Sequence, residues 1–268
     1  MNPERAFPVP MESRGERWIR AAGGFSLAAG EVHVWRVSLS LPGASTATLA
    51  ELLPADELER AARFHREEHR VRFIVAHAAL RDILHRYLAE EPAAIPFLLN
   101  ERGKPSLPPE RNPGEIEFNL SHSGSLSLVA LTRGVPVGVD VERIRTARDH
   151  EAVARRFFSE NEVAGYFALP EEERRSAFFH IWTRKEAYIK ALGVGLSAPL
   201  RSFTVNVSPG EPARLVEDRA NPSHVERWRL FDLPVGEGYR AALAVGKMDV
   251  TLRLFEWEPA ISARGNRD

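Results

Sequence analysis

Val135-Pro136-Val137-Gly138-Val139-Asp140-Val141-Glu142 puts a valine at every odd position and Gly138, Asp140 and Glu142 at even ones. Period-two alternation marks a strand with one buried face. Both carboxylates therefore point the same way, roughly 7 Å apart along the strand. Like charges fixed side by side repel, so such a pair calls for a cation or a proton between them.

Upstream of this strand, Ile116 to Leu120 and Leu126 to Leu131 read as two short strands, joined by the polar stretch Ser121-His122-Ser123-Gly124-Ser125. Farther upstream, Val32 to Leu41 alternates, with Trp35, Val37, Leu39 and Leu41 on one face of a half-buried strand. Pro54-Ala55-Asp56-Glu57 reads as a helix start with acidic residues in its first turn. A helical pattern, read as two helices, then runs to Leu88 along the stripe Phe73, Ala76, Leu80, Ile83, Leu84 and Tyr87. Downstream, Ser159 and Glu162 form a capping-box pattern. The segment Glu172 to Leu192 is the strongest helix and stops at Gly193, where a left-handed cap is expected. Strands follow at 202–207, 227–233, 239–245 and 250–257. Strand, helix and further strands thus occur twice, which predicts an α+β fold of two similar halves, 31–134 and 135–258, rather than one parallel sheet. Residues 1–30 read as a tail and 259–268 as a disordered end.

The 268 residues are 44% hydrophobic and 27% charged, an ordinary globular composition. A formal net charge of −1 argues against a dedicated nucleic-acid coat. With no cysteine, disulfides, zinc–thiolate sites and thiol nucleophiles are excluded. No apolar run approaches the ~20 residues of a membrane span and no secretory h-region opens the chain, so no membrane partner is expected and the cytoplasm is the default location.

Several residues can carry chemistry. In the long helix, Lys185 lies inside the apolar stripe of Phe178, Ile181, Ile189 and Leu192, with Glu186 at its edge. Both lose hydration there unless something compensates them. Glu186 and Lys190 also have the i, i+4 spacing of a helix ion pair, a plain reading worth only about 0.2–0.5 kcal/mol. Taken with Asp140 and Glu142, however, Glu186 completes an all-oxygen donor set suited to Mg²⁺ beside a substrate phosphate. Ser121-His122-Ser123 is open to three readings: a nucleophile–base pair, a phosphate-binding polar turn, or a plain hairpin turn. No nucleophile-elbow pattern flanks it, against the first, and the second fits best because hydroxyls and an imidazole N–H are suitable donors. Lys104, between Gly103 and Pro105, suits a point charge for phosphate or is an ordinary loop lysine. Arg60 and Arg72 belong to an arginine-rich helix region whose plain reading is a solvated face.

These blocks resemble the Sfp-type 4′-phosphopantetheinyl transferases, which activate carrier proteins of fatty-acid, polyketide and nonribosomal-peptide synthesis. The matching stretches are GKP at 103–105, FNLSHS at 118–123, GVDVE at 138–142, FFSENE at 157–162 and WTRKEAYIKALGVGL at 182–196. The resemblance implies two α+β halves related by pseudo-two-fold symmetry, with coenzyme A in the cleft between them and the chain acting as a monomer. It implies Mg²⁺ ligands at Asp140, Glu142 and Glu186, and catalytic roles for Asp140, Glu186 and Lys190. Coenzyme A would be gripped by Arg60, Arg72, Lys104, Ser121, His122, Lys185 and Lys190, with Glu162 beside the metal. The implied reaction is attack of a carrier-protein serine on the β-phosphate of coenzyme A, releasing 3′,5′-ADP. Glu57 stands where the family has a basic residue, which would leave Arg60 alone on that side. A coenzyme A-binding or interaction module without turnover is the alternative on the same scaffold.

Overall fold

In the computed structural model, which describes residues 17–21, 25–40, 46–145, 149–195, 199–208 and 210–259, two long helices each cover one sheet. The first half runs β1 (Ile19–Arg20), β2 (Glu31–Ser38), α1 (Thr46–Ala50), α2 (Ala55–Ala62) and α3 (Glu67–Leu88). It continues through the small hairpin β3 (Leu98–Leu99) and β4 (Pro105–Ser106) to β5 (Ile116–Ser123) and β6 (Leu126–Arg133). The second half begins with β7 (Val137–Arg143), α4 (His150–Phe157), α5 (Glu160–Ala168) and α6 (Glu171–Leu192). It closes with β8 (Phe203–Val205), β9 (Leu215–Asp218), α7 (His224–Arg227), β10 (Arg229–Asp232), β11 (Tyr239–Val245) and β12 (Thr251–Glu256). The expectations for residues 1–16, 22–24 and 260–268, and for Leu41, lie outside the described residues.

A five-stranded sheet has the order β1-β12-β2-β6-β5 and a three-stranded sheet the order β10-β11-β7. The last strand of the chain, β12, pairs in parallel with β2, so the end of the sequence completes the first half's sheet. Three apolar cores result. One lies between α3 and the five-stranded sheet around Trp35, Leu80 and Phe118, and a second lies between α6 and the three-stranded sheet around Ile181, Tyr188 and Leu230. The third lies between the sheets, where Val32, Val34, Leu128 and Ala130 meet Val137, Val139, Val141 and Leu243. β2 is therefore buried on both faces rather than half-buried, with Val32 and Val34 as inaccessible as Trp35 and Val37.

The alternation in residues 137–141 acts as expected. Its valines enter the core between the sheets, and its even face turns to α6. Gly138 lets the helix approach: a Cβ there would lie 2.1 Å from the Ala187 carbonyl oxygen and 2.3 Å from the Ala191 nitrogen. Both contacts are backbone and cannot swing aside. Gly138→Ala should therefore lose about 3 kcal/mol in urea unfolding, the upper range for overpacking; a loss under about 0.5 kcal/mol, the size of an ordinary surface substitution, would contradict so close an approach. The close packing brings the polar residues of β7 under those of α6.

Candidate active site

Asp140 is buried beneath α6, and its Oδ1 accepts from Lys190 Nζ at 2.6 Å and from Ser121 Oγ at 2.9 Å. Two residues on, Glu142 Oε2 accepts from Ser123 Oγ at 2.8 Å. Glu186 descends from α6 onto the same patch. The strand pair and the helix carboxylate thus meet. Lys190 does not pair with Glu186, as the i, i+4 spacing suggested, but reaches across to Asp140. Asp140 Oδ2 and Glu186 Oε1 are buried with no hydrogen-bond partner. Burial pushes the Glu186 carboxyl up to about 7, and the negative charges of Asp140 and Glu142 add to the rise against Lys190. Glu142 is raised too, by burial first and by Asp140 against the hydrogen bond from Ser123.

Among the described residues, no three His, Cys, Asp or Glu side chains are already gathered as ligands around one point. The chemistry of the patch nevertheless fits a hard divalent cation. Its donors are carboxylate oxygens only, and two of those oxygens are buried and unpartnered, which is costly unless something answers them.

The raised Glu186 has a measurable consequence. The folded protein holds this proton more tightly than the unfolded chain, whose carboxyl titrates near 4.5, so stability is lost as pH rises through the interval from about 4.5 to about 7. In a chelator-containing buffer, the natural protein should lose stability relative to Glu186→Gln across that interval. Parallel stability–pH curves for the two proteins would contradict the assignment.

Around this patch stand the other predicted residues. Partial burial lowers the His122 imidazole, and the positive charges of Lys190, His77 and Arg72 lower it further, so these four groups share one region. Arg72 is paired with Glu68 on its own helix at 2.5 Å, and Arg60 lies over the Phe73 ring at 5.3 Å. Phe73 in turn stacks on His77 at 3.9 Å. Lys104 donates to the carbonyls of Val137 and Ala191, at 3.3 and 3.2 Å, tying the first half's hairpin to β7 and the end of α6. Burial holds its ammonium below the usual lysine range. Glu57, the departure from the family pattern, does not weaken the region with an unpaired charge. Its carboxylate takes both prongs of Arg81, at 2.9 and 3.1 Å; burial works to raise it, yet the His77 imidazole 3.3 Å away and the Arg81 hydrogen bonds bring it down to about 2.

Two expectations need correction. Lys185 is fully buried, and its ammonium donates to both oxygens of Glu162, at 2.8 and 2.7 Å, and to the Phe203 carbonyl at 2.7 Å. All three protons are used, so in this conformation it holds α5, α6 and β8 together and has none left for coenzyme A. Glu162, placed by its capping box with Ser159, belongs to the same internal pair. Ser121, His122 and Ser123, in turn, do not form a turn. They are the last residues of β5, and the hairpin bends at Gly124-Ser125. Alternation then sends His122 to one face and both serines to the other, where the Ser121 hydroxyl serves Asp140 and accepts from Lys190 at 2.9 Å.

The sequence gives Asn119 and Ser123 no role of their own, the latter only as part of the polar stretch 121–123, and does not single out His77. The first two carried a signal: with Ser121 they make a polar period-two face on a strand otherwise rich in apolar residues. His77 carried none, being one more polar residue on a helix.

A cavity of about 640 Å³ opens beside the end of α6. Asn100 and Arg102 of the first half line one wall, and Ile189, Gly193, Phe203 and Asn221 of the second half line the other. Among the described residues no helix is long and apolar enough to cross a membrane.

Comparison with known proteins shows the family. Residues 136–244 match the model of the 4'-phosphopantetheinyl transferase superfamily, and residues 42–133 match that of the 4'-phosphopantetheinyl transferase N-terminal region. The 4'-phosphopantetheinyl transferase Sfp of Bacillus subtilis (strain 168) is 29% identical over 195 residues, 72% of this chain and 82% of that protein. The transferase Ffp, also of Bacillus subtilis, is 30% identical over 76% of this chain and 87% of its own length. The 4'-phosphopantetheinyl transferase HetI of Nostoc sp. (strain PCC 7120) is 38% identical over 242 residues, 90% of this chain and 96% of that protein. Likeness of that degree along nearly a whole relative, on a fold of two α+β halves, makes this chain a member of the 4'-phosphopantetheinyl transferase superfamily.

Proposed function

We propose that this chain transfers the 4′-phosphopantetheine group of coenzyme A to a serine hydroxyl of an acyl or peptidyl carrier protein, releasing 3′,5′-ADP. The observation that carries the reading is the meeting of Asp140 and Glu142 from β7 with Glu186 and Lys190 from α6 on one buried patch. Asp140, Glu142 and Glu186 would hold Mg²⁺. Bound there, the ion would offset charge developing on the pyrophosphate oxygens, the main catalytic effect expected for phosphoryl transfer.

The chain's own residues supply the rest. Lys190 brings a positive charge to the edge of the carboxylates, where it can turn from Asp140 to a phosphate oxygen. Glu186, at the same patch, is the group to take the serine proton, directly or through a water. His122, Arg72, Arg60 and Lys104 offer donors for the nucleotide's phosphates from the first half. The cavity between the halves gives room for the organic part of coenzyme A. Both walls come from one chain, so the reading takes the protein as a monomer, acting in the cytoplasm.

The test is the intact mass of apo carrier proteins incubated with this chain, coenzyme A and Mg²⁺. A gain of one phosphopantetheine arm, abolished by a chelator, is the expected result. Binding of coenzyme A without any gain across a panel of carriers would favour a module without turnover. Breakdown of coenzyme A with no carrier present would favour a hydrolase.

A further inference from the structure

β7 is an edge strand: residues 137–143 pair with β11 on one side, and the amides of Val139, Val141 and Arg143 point outward to the first half on the other. An edge of that kind needs partners for its N–H groups. β5 lies alongside but supplies side chains rather than carbonyls. Val139 N donates to Asn119 Oδ1 at 2.9 Å, Val141 N to Ser121 Oγ at 3.3 Å and Arg143 N to Ser123 Oγ at 3.1 Å. The two serines then turn their own protons onto carboxylates of β7, Ser121 onto Asp140 and Ser123 onto Glu142.

The same unit is thus built twice, two residues apart on each strand. A serine hydroxyl of the first half accepts from the amide that follows an acidic residue and donates to that residue's carboxylate. Because the amide is fixed in the β7 backbone, it takes one side of the hydroxyl and leaves the proton aimed at the carboxylate. A hydroxyl proton on an ionised oxygen makes a charge-assisted bond, stronger than a neutral one. Ser121 is also bonded to Lys190 and so is entangled with the reacting groups. The Ser123 hydroxyl bonds only Glu142 and Arg143 N among the described residues, and Ser123 is buried.

We propose that Ser123 is a positioning residue: its hydroxyl bridges the two halves and holds the Glu142 carboxylate in the orientation in which it ligates the divalent ion. This rests on the reading of the carboxylate patch given above, and its test separates the two. Mn²⁺ serves as the probe, with the binding constant taken from the electron-spin signal of the free ion, on the full chain without coenzyme A. Ser123→Ala should weaken Mn²⁺ binding about 10- to 100-fold, the usual effect of removing a group that orients a metal ligand. Its transfer rate should fall at low Mg²⁺ and recover as Mg²⁺ is raised, while Ser123→Thr, which keeps the hydroxyl, should bind Mn²⁺ like the natural protein. If Ser123→Ala does not fold, Ser123→Cys, similar in size but a feeble donor, gives the same comparison. Natural affinity in a folded Ser123→Ala or Ser123→Cys variant overturns the proposal and leaves the patch reading intact. Equal loss in Ser123→Thr also overturns it, because packing and not the hydroxyl would then be at work. Failure of the natural protein to bind Mn²⁺ overturns the patch reading, and this inference with it.

Discussion

Glu186→Gln is expected to lower the transfer rate about 10²–10⁴-fold, the range for loss of a positioned acid–base group, while leaving the protein as stable as before or more so. The carboxylate is buried, one of its oxygens has no partner, and Asp140 and Glu142 both work against its charge. Glutamine keeps the shape and removes the repulsion. Activity and stability therefore move apart, as they do where a site holds groups that destabilise the fold. Asp140→Asn should also stop transfer but at a cost in stability, since Lys190 and Ser121 lose a charged acceptor. Transfer by Glu186→Gln within tenfold of the natural rate would remove this residue from the chemistry.

The second large effect concerns stability. Lys185→Ala leaves Glu162 buried with its charge uncompensated and should cost about 3–5 kcal/mol in urea unfolding. The double change Lys185→Met with Glu162→Gln removes both charges. It keeps an acceptor for only one of the Ser159 and Val205 amides, which Glu162 now serves with separate oxygens, and should recover part of the loss. The double variant also decides between two roles for the lysine. If Lys185 only holds α5, α6 and β8 together, the KM for coenzyme A stays near its natural value. A large rise in KM in a stable double variant would return Lys185 to the phosphates.

What the sequence disclosed was what repeats locally. Alternation over 137–141 gave the strand and the side its carboxylates face. The apolar stripe through 178–192 gave the long helix and placed Lys185 inside it. Gly193 does end that helix in a left-handed cap, with φ of 70°. Local pattern failed where a distant partner decides. Ser121-His122-Ser123 looked like a turn because Gly124 follows and three polar residues rarely enter a sheet; β7, lying opposite, makes their hydroxyls useful there. The strand Leu215–Asp218 is short and half polar, and only its pairing with β8 defines it. Nor does any local feature of residues 251–256 announce that they pair with β2 at the other end of the chain. The same holds within the candidate site. Asp140, Glu142, Glu186 and Lys190 were found as chemistry-bearing types in a known arrangement, but the choice of Asp140 over Glu186 as partner of Lys190 depends on how β7 and α6 cross.

The account depends most on the carboxylates of β7 and α6 sharing one ion. Crystals grown with Mn²⁺ and coenzyme A, measured for anomalous scattering, test this directly. The prediction is a peak within ligand distance of Asp140, Glu142 and Glu186, with the pyrophosphate beside it and Lys190 turned from Asp140 towards a phosphate oxygen. A peak elsewhere, or coenzyme A bound with Lys190 still on Asp140 and no ion among the three acids, would contradict it.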